Sequence, residues 1–214
     1  MKRIFKKVYV SPIAIEKARN RFQKHQGILK TNEAIKCGIH PRTLYQMRDQ
    51  GIIEQIARGL FHLTKLPGMS NIDLITIAKR APRGIICLIS ALDFHELTTQ
   101  IPHFVDIAYR RDWRIPNIKH PPIKIFRYSK ESYNLGIDHH TIDGITVAIY
   151  SPEKTIVDCF KFRNKIGLNT AIEALKNYWS RKNNTPNINT VMKYANICRV
   201  EKIIRPYLES LINE

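Results

Sequence analysis

One stretch decides the fold of the first third of the chain: AIKCGIHPRTLYQMRDQGIIEQIARGLFHL, residues 34–63. Its centre predicts a helix over residues 41–50, because proline suits the first turn of a helix and a glycine follows the last apolar position. Two short alternating segments come next, residues 52–56 and 59–63, and the residues between them suit a hairpin turn. A helix followed by such a hairpin forms the second half of a winged helix-turn-helix.

Two further helices are predicted before this stretch. Ser11 can cap a first helix that runs to Lys24. Either Thr31 or Asn32 would cap a short second helix, which ends at the glycine turn. The succession of helix, helix, turn, helix and wing predicts a winged helix-turn-helix domain over residues 1–68.

The pattern changes after residue 68. Ile, Val and aromatic residues favour strands in three later segments, and a serine–proline pair opens a helix at residue 151. The predicted strands cover residues 104–109, 123–128 and 145–150, and the later helices cover residues 70–80, 151–162, 168–181, 190–198 and 201–212. An apolar run over residues 84–90 suits either a buried strand or the start of a helix. The fold class is therefore α+β: a winged helix-turn-helix, then a mixed α+β domain over residues 69–214 that ends in helices.

Charge is the most informative bulk property. The chain has 35 Lys and Arg against 18 Asp and Glu, a net charge of +17, and a pI near 9.9. Residues 1–68 hold 14 basic and 4 acidic residues, a net of +10, which leaves 21 and 14, a net of +7, for the rest. Nucleic acid is the usual partner of so basic a protein, although charge can also serve solubility alone.

The sequence also bears on compartment and cofactors. No apolar run is long enough to span a bilayer, and the basic start lacks the apolar stretch of a secretory signal. The four cysteines are scattered and lack the spacing of a zinc site, which favours buried, reduced thiols. We therefore expect a cytoplasmic protein that has no membrane partner and no cofactor.

The third helix would present hydrogen-bond donors to the major groove of DNA. Arg42 and Gln46 lie four residues apart on it, and these side chains suit guanine and adenine. A lone Arg or Gln is more often a solvated surface residue, but this helix carries a single acid, Asp49, near its end. Tyr45 could equally pack, and Arg58 at the wing tip suits the minor groove or the backbone. The predicted DNA-binding residues are Lys30, Lys36, His40, Arg42, Thr43, Tyr45, Gln46, Arg48 and Arg58.

The quoted stretch resembles the N-terminal domain of AbiEi-type antitoxins, which are also described as predicted transcriptional regulators of viral defence systems. The resemblance lies in the glycine turn, Gly38-Ile39, in residues 42–45, in Gly51 and in residues 57–61 of the wing. More loosely, two later segments, IICLISALDFH at residues 85–95 and SPEKTIVD at residues 151–158, resemble the family as well. The N-terminal helix, residues 11–24, with its basic leader, residues 1–10, is longer than the family leads us to expect.

This resemblance implies a specific function. Such proteins are antitoxins of two-gene, abortive-infection operons, and they repress their own promoter by binding inverted repeats in double-stranded DNA through the N-terminal domain. The second domain supplies antitoxicity against a toxin that resembles a nucleotidyltransferase, often without forming a stable complex with it.

Two acidic and histidine-rich clusters invite a metal site, and we expect neither to hold one. Asp138, His139, His140 and Asp143 are crowded together, yet Asp143-Gly144 is a turn signal, so a hairpin is the better explanation. Asp93, His95 and Glu96 lack a further ligand. No catalytic motif is present, and the chain is not expected to be an enzyme.

The sequence also allows two alternative functions and a second basic surface. A DNA-binding enzyme of the nuclease type would need an acid and a Glu-x-Lys segment, whereas Glu153-Lys154 lacks the intervening residue and opens a helix. A regulator with a ligand-sensing second domain is a further alternative. Basic residues on the last helices could form a second electropositive face, although scattered solvated side chains explain them slightly better: Lys176, Arg181, Lys182, Lys193, Arg199, Lys202 and Arg205.

Overall fold

A computed structural model of the chain describes residues 10–64, 71–118, 120–181 and 186–212. The chain forms two compact units, Met1–Ser70 and Asn71–Glu214, where the sequence placed the boundary at residue 68. The fold class is α+β with a winged helix-turn-helix first, as the sequence predicted. Among the helices described, none has the length and apolarity required to cross a membrane.

The first unit is a winged helix-turn-helix. Its described elements are α1 (Pro12–Lys24), β1 (Ile28–Lys30), α2 (Thr31–Lys36), α3 (Pro41–Asp49), β2 (Ile53–Ala57) and β3 (Leu60–Leu63). Strand β3 lies in the middle of an antiparallel sheet and pairs with β1 on one side and β2 on the other. The hairpin β2–β3 is the wing, and α2 and α3 form the helix-turn-helix.

The helix starts follow local sequence, with one exception. The Ser11 hydroxyl accepts a hydrogen bond from the Ala14 N–H at 3.3 Å and caps α1 as predicted. The prediction that Thr31 or Asn32 caps α2 is wrong, because Lys30 occupies the cap position. The Glu33 carboxylate accepts the Lys30 N–H at 2.8 Å, which ties the cap residue to the first turn of the helix. Asn32 lies inside that turn, where its side-chain oxygen accepts the Glu33 N–H at 3.0 Å.

A small apolar core holds this unit together. Phe22 of α1, Leu44 and Met47 of α3 and Phe61 of β3 are each no more than 1% exposed and belong to one cluster. Burying side chains of this size contributes roughly 1.5–3 kcal/mol each. The outer face of α3 is fixed by this packing, since the helix cannot rotate without exposing Leu44 and Met47.

The second unit has helices packed on a mixed sheet. Its elements are α4 (Ile72–Arg80), β4 (Ile85–Ile86), α5 (Leu88–Phe94), β5 (Val105–Arg110), β6 (Ile123–Tyr128), α6 (Lys130–Tyr133), β7 (Ile137–Ile142), β8 (Ile145–Tyr150), α7 (Pro152–Lys161), α8 (Arg163–Ile166), α9 (Leu168–Trp179), α10 (Ile188–Ile197) and α11 (Glu201–Ile212). The strand order is β6-β5-β4-β8-β7. Strands β5 and β6 are parallel, as are β4 and β8, and the remaining pairs are antiparallel.

Local patterns predicted most of these elements. Strands β6 and β8 coincide with the predicted segments, and β7 and β8 form the hairpin expected from Asp143-Gly144. Both turn residues have positive φ angles, 47° for Asp143 and 76° for Gly144, as this tight turn requires. The apolar run over residues 84–90 is divided between a two-residue strand and the start of α5. The short helices α6 and α8 were not predicted.

Candidate nucleic-acid interface

Helix α3 has a buried face and an exposed face. Thr43, Leu44 and Met47 are buried on the inner face, whereas Arg42 and Tyr45 are exposed. Arg48, two turns along from Pro41, is exposed as well. The exposed face therefore presents two guanidinium groups and a phenol at the spacing of successive helical turns.

Arg42 begins this exposed face. The helix cap comes from His40, whose Nδ1 accepts the Arg42 N–H at 3.2 Å. His40 thus has a structural part in positioning α3, and its ring remains exposed. The Arg42 side chain makes no ion pair within the described residues, which leaves its guanidinium available to an external acceptor.

Tyr45 and Arg48 form a small cluster in the middle of α3. The Arg48 guanidinium carbon lies 5.2 Å from the centroid of the Tyr45 ring. Its Nε and one Nη donate to the Asp49 carboxylate at 3.0 and 2.7 Å. The Tyr45 ring also meets Phe61 edge-on at 6.4 Å, yet 44% of Tyr45 stays exposed. Tyr45 therefore packs against the wing and also contributes to the surface. The sequence had left open whether Tyr45 packs or contacts DNA, and the structure allows both.

Two predicted contact residues are placed differently from what the helical spacing suggested. Thr43 is only 6% exposed and lies on the inner face, so we remove it from the interface. Gln46 is half-buried, and its side-chain oxygen accepts the N–H of Val10 at 3.1 Å. Only the amide N–H groups of Gln46 remain to bind a base. The residues that share the exposed face with Arg42 are therefore Tyr45 and Arg48.

The wing carries Arg58 at its tip. Arg58 and Gly59 form the turn between β2 and β3, and Gly59 takes a positive φ of 70°. The carbonyl of Gly59 accepts the N–H of Thr31 at 2.9 Å, which ties the turn to the first residue of α2. Arg58 is exposed. A basic side chain thus stands at the end of an anchored hairpin.

The remaining predicted lysines lie around α2. Lys30 is half-buried at the cap position, and Lys36 is exposed in the last turn. Arg21 of α1 was missed by the sequence reasoning. Its guanidinium lies 3.1–3.4 Å from the point where a Cβ would stand on Gly38, the glycine that precedes α3. The sequence did offer one signal for Arg21. It lies four residues after Lys17 on α1, so the two basic side chains share one face of the helix.

Within the described residues of the second unit, the clustered acids and histidines do not assemble into a metal site. Among the described residues no three His, Cys, Asp or Glu side chains gather closely enough to hold an ion. The rings of His95 and His140 lie 5.8 Å apart, and Phe94 contacts both. His95 Nε2 lies 2.7 Å from the Tyr150 carbonyl, and burial lowers the pKa of His95, which favours a neutral ring that donates this hydrogen bond.

The segment SPEKTIVD, residues 151–158, forms the start of α7 inside the core. Lys154 Nζ lies 2.5 Å from the Asp158 carboxylate, and neither side chain is exposed. The Tyr128 hydroxyl donates to the same carboxylate oxygen at 3.0 Å. The Lys154 ammonium also lies 4.4 Å from the Tyr150 ring centroid. Lys154 and Asp158 therefore stabilise the core of the second unit and are closed to solvent, whereas Glu153 of the same segment is half-buried and accepts a hydrogen bond from the Tyr178 hydroxyl at 2.7 Å.

Comparison with known proteins bears on the first unit. Residues 16–64 match a family described as "Transcriptional regulator, AbiEi antitoxin". The resemblance to AbiEi-type antitoxins is thereby confirmed. The match begins in α1 and ends just after the wing, so it covers most of the winged unit, including the exposed face of α3. It does not reach residues 85–95 or 151–158, whose looser resemblance stays a prediction.

A solved structure is similar over most of the chain. The crystal structure of RV2827C protein from Mycobacterium tuberculosis matches 94% of this chain and 82% of its own, with a TM-score of 0.56 and 10% sequence identity. At that identity the likeness shows a common fold and no more. No curated protein matches the chain.

Proposed function

We propose that this protein is a cytoplasmic transcriptional autorepressor and the antitoxin of a two-gene abortive-infection operon. The observation that carries the proposal is the exposed face of α3, with Arg42, Tyr45 and Arg48, in the unit that matches AbiEi-type regulators. Its target would be double-stranded DNA at inverted repeats in its own promoter. Its opponent would be a toxin resembling a nucleotidyltransferase.

The geometry supports different DNA contacts for the different basic side chains. Helix α3 enters the major groove, where Arg42 suits the two acceptors of a guanine. Arg58 at the wing tip contacts the minor groove or the backbone beside it. Lys36 and Arg21, which flank the glycine turn, neutralise phosphates and set the register of the helix. Inverted repeats would take two copies of the chain, one on each half-site.

The second unit would provide the antitoxic function without acting as an enzyme. Its buried ion pair, formed by Lys154 and Asp158, is enclosed in the core, where it stabilises α7. We propose that it needs no cofactor and that the toxin is opposed functionally, without a requirement for a stable complex.

Two measurements on the full chain test this proposal. The first is binding to a duplex from the region upstream of its own gene, compared with a scrambled duplex. The wild type should prefer the upstream duplex, and the variant Arg42→Ala/Arg48→Ala should lose that preference. Lys176→Ala/Lys202→Ala is a matched control that removes two exposed charges from α9 and α11. Equal binding of both duplexes by the wild type would contradict the repressor role.

The second measurement is growth on expression of the adjacent gene, alone and together with the full chain. Toxicity that the full chain relieves would support the antitoxin role. The variant Arg42→Ala/Arg48→Ala should still relieve it, because the antitoxic function is assigned to the other unit. An adjacent gene that is harmless when expressed alone would contradict the antitoxin role and leave the regulator.

A further inference from the structure

We propose that Cys37 and His25 form a site of covalent thiol modification, which reacts with a small anionic disulfide and regulates DNA binding. The two side chains, called the Cys37–His25 pair from here on, come from the ends of α2 and α1. The Cys37 Sγ lies 3.3 Å from His25 Nε2. The chemistry of the pair is independent of the proposed function, whereas its effect on DNA rests on that function.

The backbone holds both residues of the pair in place. His25 follows the last residue of α1, and its N–H donates to the Phe22 carbonyl at 2.9 Å. Cys37 follows the last residue of α2, and its N–H donates to the Glu33 carbonyl at 2.9 Å. The thiol and the imidazole are therefore brought together by the packing of two helix ends and not by adjacency in the chain.

The pair is open to solvent, unlike the other thiols of the chain. Cys37 is half-buried and His25 is exposed. Cys87 and Cys159 are 0% exposed, and Cys198 is 5% exposed. Burial also raises the pKa of the Cys87 and Cys159 thiols, which keeps them protonated and unreactive. A reagent in solution should therefore select Cys37 among the four cysteines of the chain.

Two basic side chains lie beside the pair. The Arg21 guanidinium lies 3.1–3.4 Å from the point where a Cβ would stand on Gly38, the residue that follows Cys37. Lys36, which precedes Cys37, is exposed. Neither Arg21 nor Lys36 forms an ion pair within the part of the chain that the structure describes. Positive charge of this kind stabilises a thiolate and attracts an anionic reagent, of which oxidised glutathione is an example.

The reaction is a thiol–disulfide exchange. The unprotonated Nε2 of His25 takes the proton of the Cys37 thiol. The thiolate attacks one sulfur of the small disulfide, so that an S–S bond forms to Cys37 while the original S–S bond breaks. The departing thiolate takes the proton back from the imidazolium. Cys37 is thereby oxidised, one small thiol is released in its reduced form, and the disulfide itself is the oxidant.

A group attached to Cys37 would interfere with DNA at the helix-turn-helix. Cys37 lies shortly before His40, which caps α3. Lys36 and Arg21 are the side chains to which the proposed function assigns phosphate contacts. A glutathionyl group has two carboxylates and one ammonium, so it brings net negative charge beside both. Modification should therefore weaken operator binding and relieve repression under oxidising conditions.

The first test treats the full chain with oxidised glutathione and follows it by intact mass spectrometry and peptide mapping. The folded wild type should gain one glutathionyl group, at Cys37, and the chain unfolded in urea should gain up to four. Cys37→Ser should gain none in the folded state, whereas the matched control Cys198→Ser should still gain one. Absence of the adduct in the folded wild type, or equal rates at the buried thiols, would overturn the site.

The variant His25→Gln tests the role of the imidazole. An unassisted thiol is only a few per cent thiolate at neutral pH, so this variant should react about tenfold more slowly there. Above about pH 10 the thiol ionises without help, and the variant should react at the wild-type rate. The matched control His139→Gln removes an exposed imidazole of the second unit and should react as the wild type does. A wild-type rate for His25→Gln at neutral pH, or equal slowing at both pH values, would overturn the pair.

The second test measures operator binding by fluorescence anisotropy before and after modification. The glutathionylated wild type should bind the upstream duplex about tenfold more weakly and with a salt slope lower by about 1, and reduction with dithiothreitol should restore both. Cys37→Ser should bind equally with and without oxidised glutathione. Unchanged binding by the fully modified chain would overturn the regulatory role. Failure of the unmodified wild type to bind any duplex would overturn the proposed function, while the adduct at Cys37 would still be decided by the first test.

Discussion

Asp106 should make the stability of the second unit depend on pH. Its carboxyl group lies at the start of α5, and the residue as a whole is 4% exposed. Oδ2 accepts the Ile89 N–H at 3.1 Å, and the Ser90 hydroxyl accepts the Asp106 N–H at 2.9 Å. Burial raises the pKa of Asp106 from 3.8 to about 6, although the backbone N–H groups of Ile89 and Ser90 and the charge of Lys124 favour the ionised form. The folded state therefore holds this proton more tightly than the unfolded state does.

The sign and size of the effect follow from that difference. A raised carboxyl pKa contributes stability that is fully present below pH ~4 and is lost as the pH rises through ~6. A shift from 3.8 to about 6 corresponds to about 3 kcal/mol at 1.36 kcal/mol per pKa unit. Asp106→Asn keeps an oxygen that can accept the Ile89 N–H and removes the ionisation. We expect the variant to match the wild type near pH 4 and to exceed its stability by up to about 3 kcal/mol at pH 8.

Urea unfolding followed by tryptophan fluorescence is the direct assay. Both tryptophans of the chain, Trp113 and Trp179, lie in the second unit, so their emission reports on that unit alone. Taking the difference between variant and wild type at each pH cancels the titration of every other group. A difference that does not change between pH 4 and pH 8, or a variant that loses stability as the pH rises, would refute the reasoning.

Three further predictions concern single contacts. Arg42→Ala should lower operator affinity by about 1–3 kcal/mol and relax the preference at one base; an unchanged footprint would speak against its role. Arg58→Ala should weaken binding to operator and random duplexes alike and lower the salt slope by about 1, whereas a loss confined to the operator would contradict the wing contact. Asp158→Ala should cost about 3–5 kcal/mol in urea unfolding, since it leaves the buried Lys154 ammonium without its partner. The double variant Lys154→Met/Asp158→Leu should lower the free energy of unfolding much less than Asp158→Ala does. Equal losses for the two variants would show that the unpaired Lys154 ammonium does not cause the destabilisation.

The sequence by itself determined the features that depend on neighbouring residues. The wing was predictable because Arg58-Gly59 stands between two alternating segments, and glycine supplies the positive φ of the turn. The Asp143-Gly144 hairpin was predictable on the same grounds, as was the start of α7 at Ser151. Turns and caps involve contacts a few residues apart, so local chemistry decides them without knowledge of the rest of the chain.

Only the tertiary structure decided which side chains of these elements reach the surface. Helical spacing put Gln46 on the face of Arg42, yet packing around Leu44 and Met47 set the rotation of α3 and brought Gln46 to Val10. The cluster of Arg83 and Arg110 around Trp113 was hidden in the sequence, because the two arginines come to the same indole ring only where β4 and β5 pair. The rotation of a helix and the meeting of distant segments are set by the burial of the whole apolar core, and no short window of sequence contains that information.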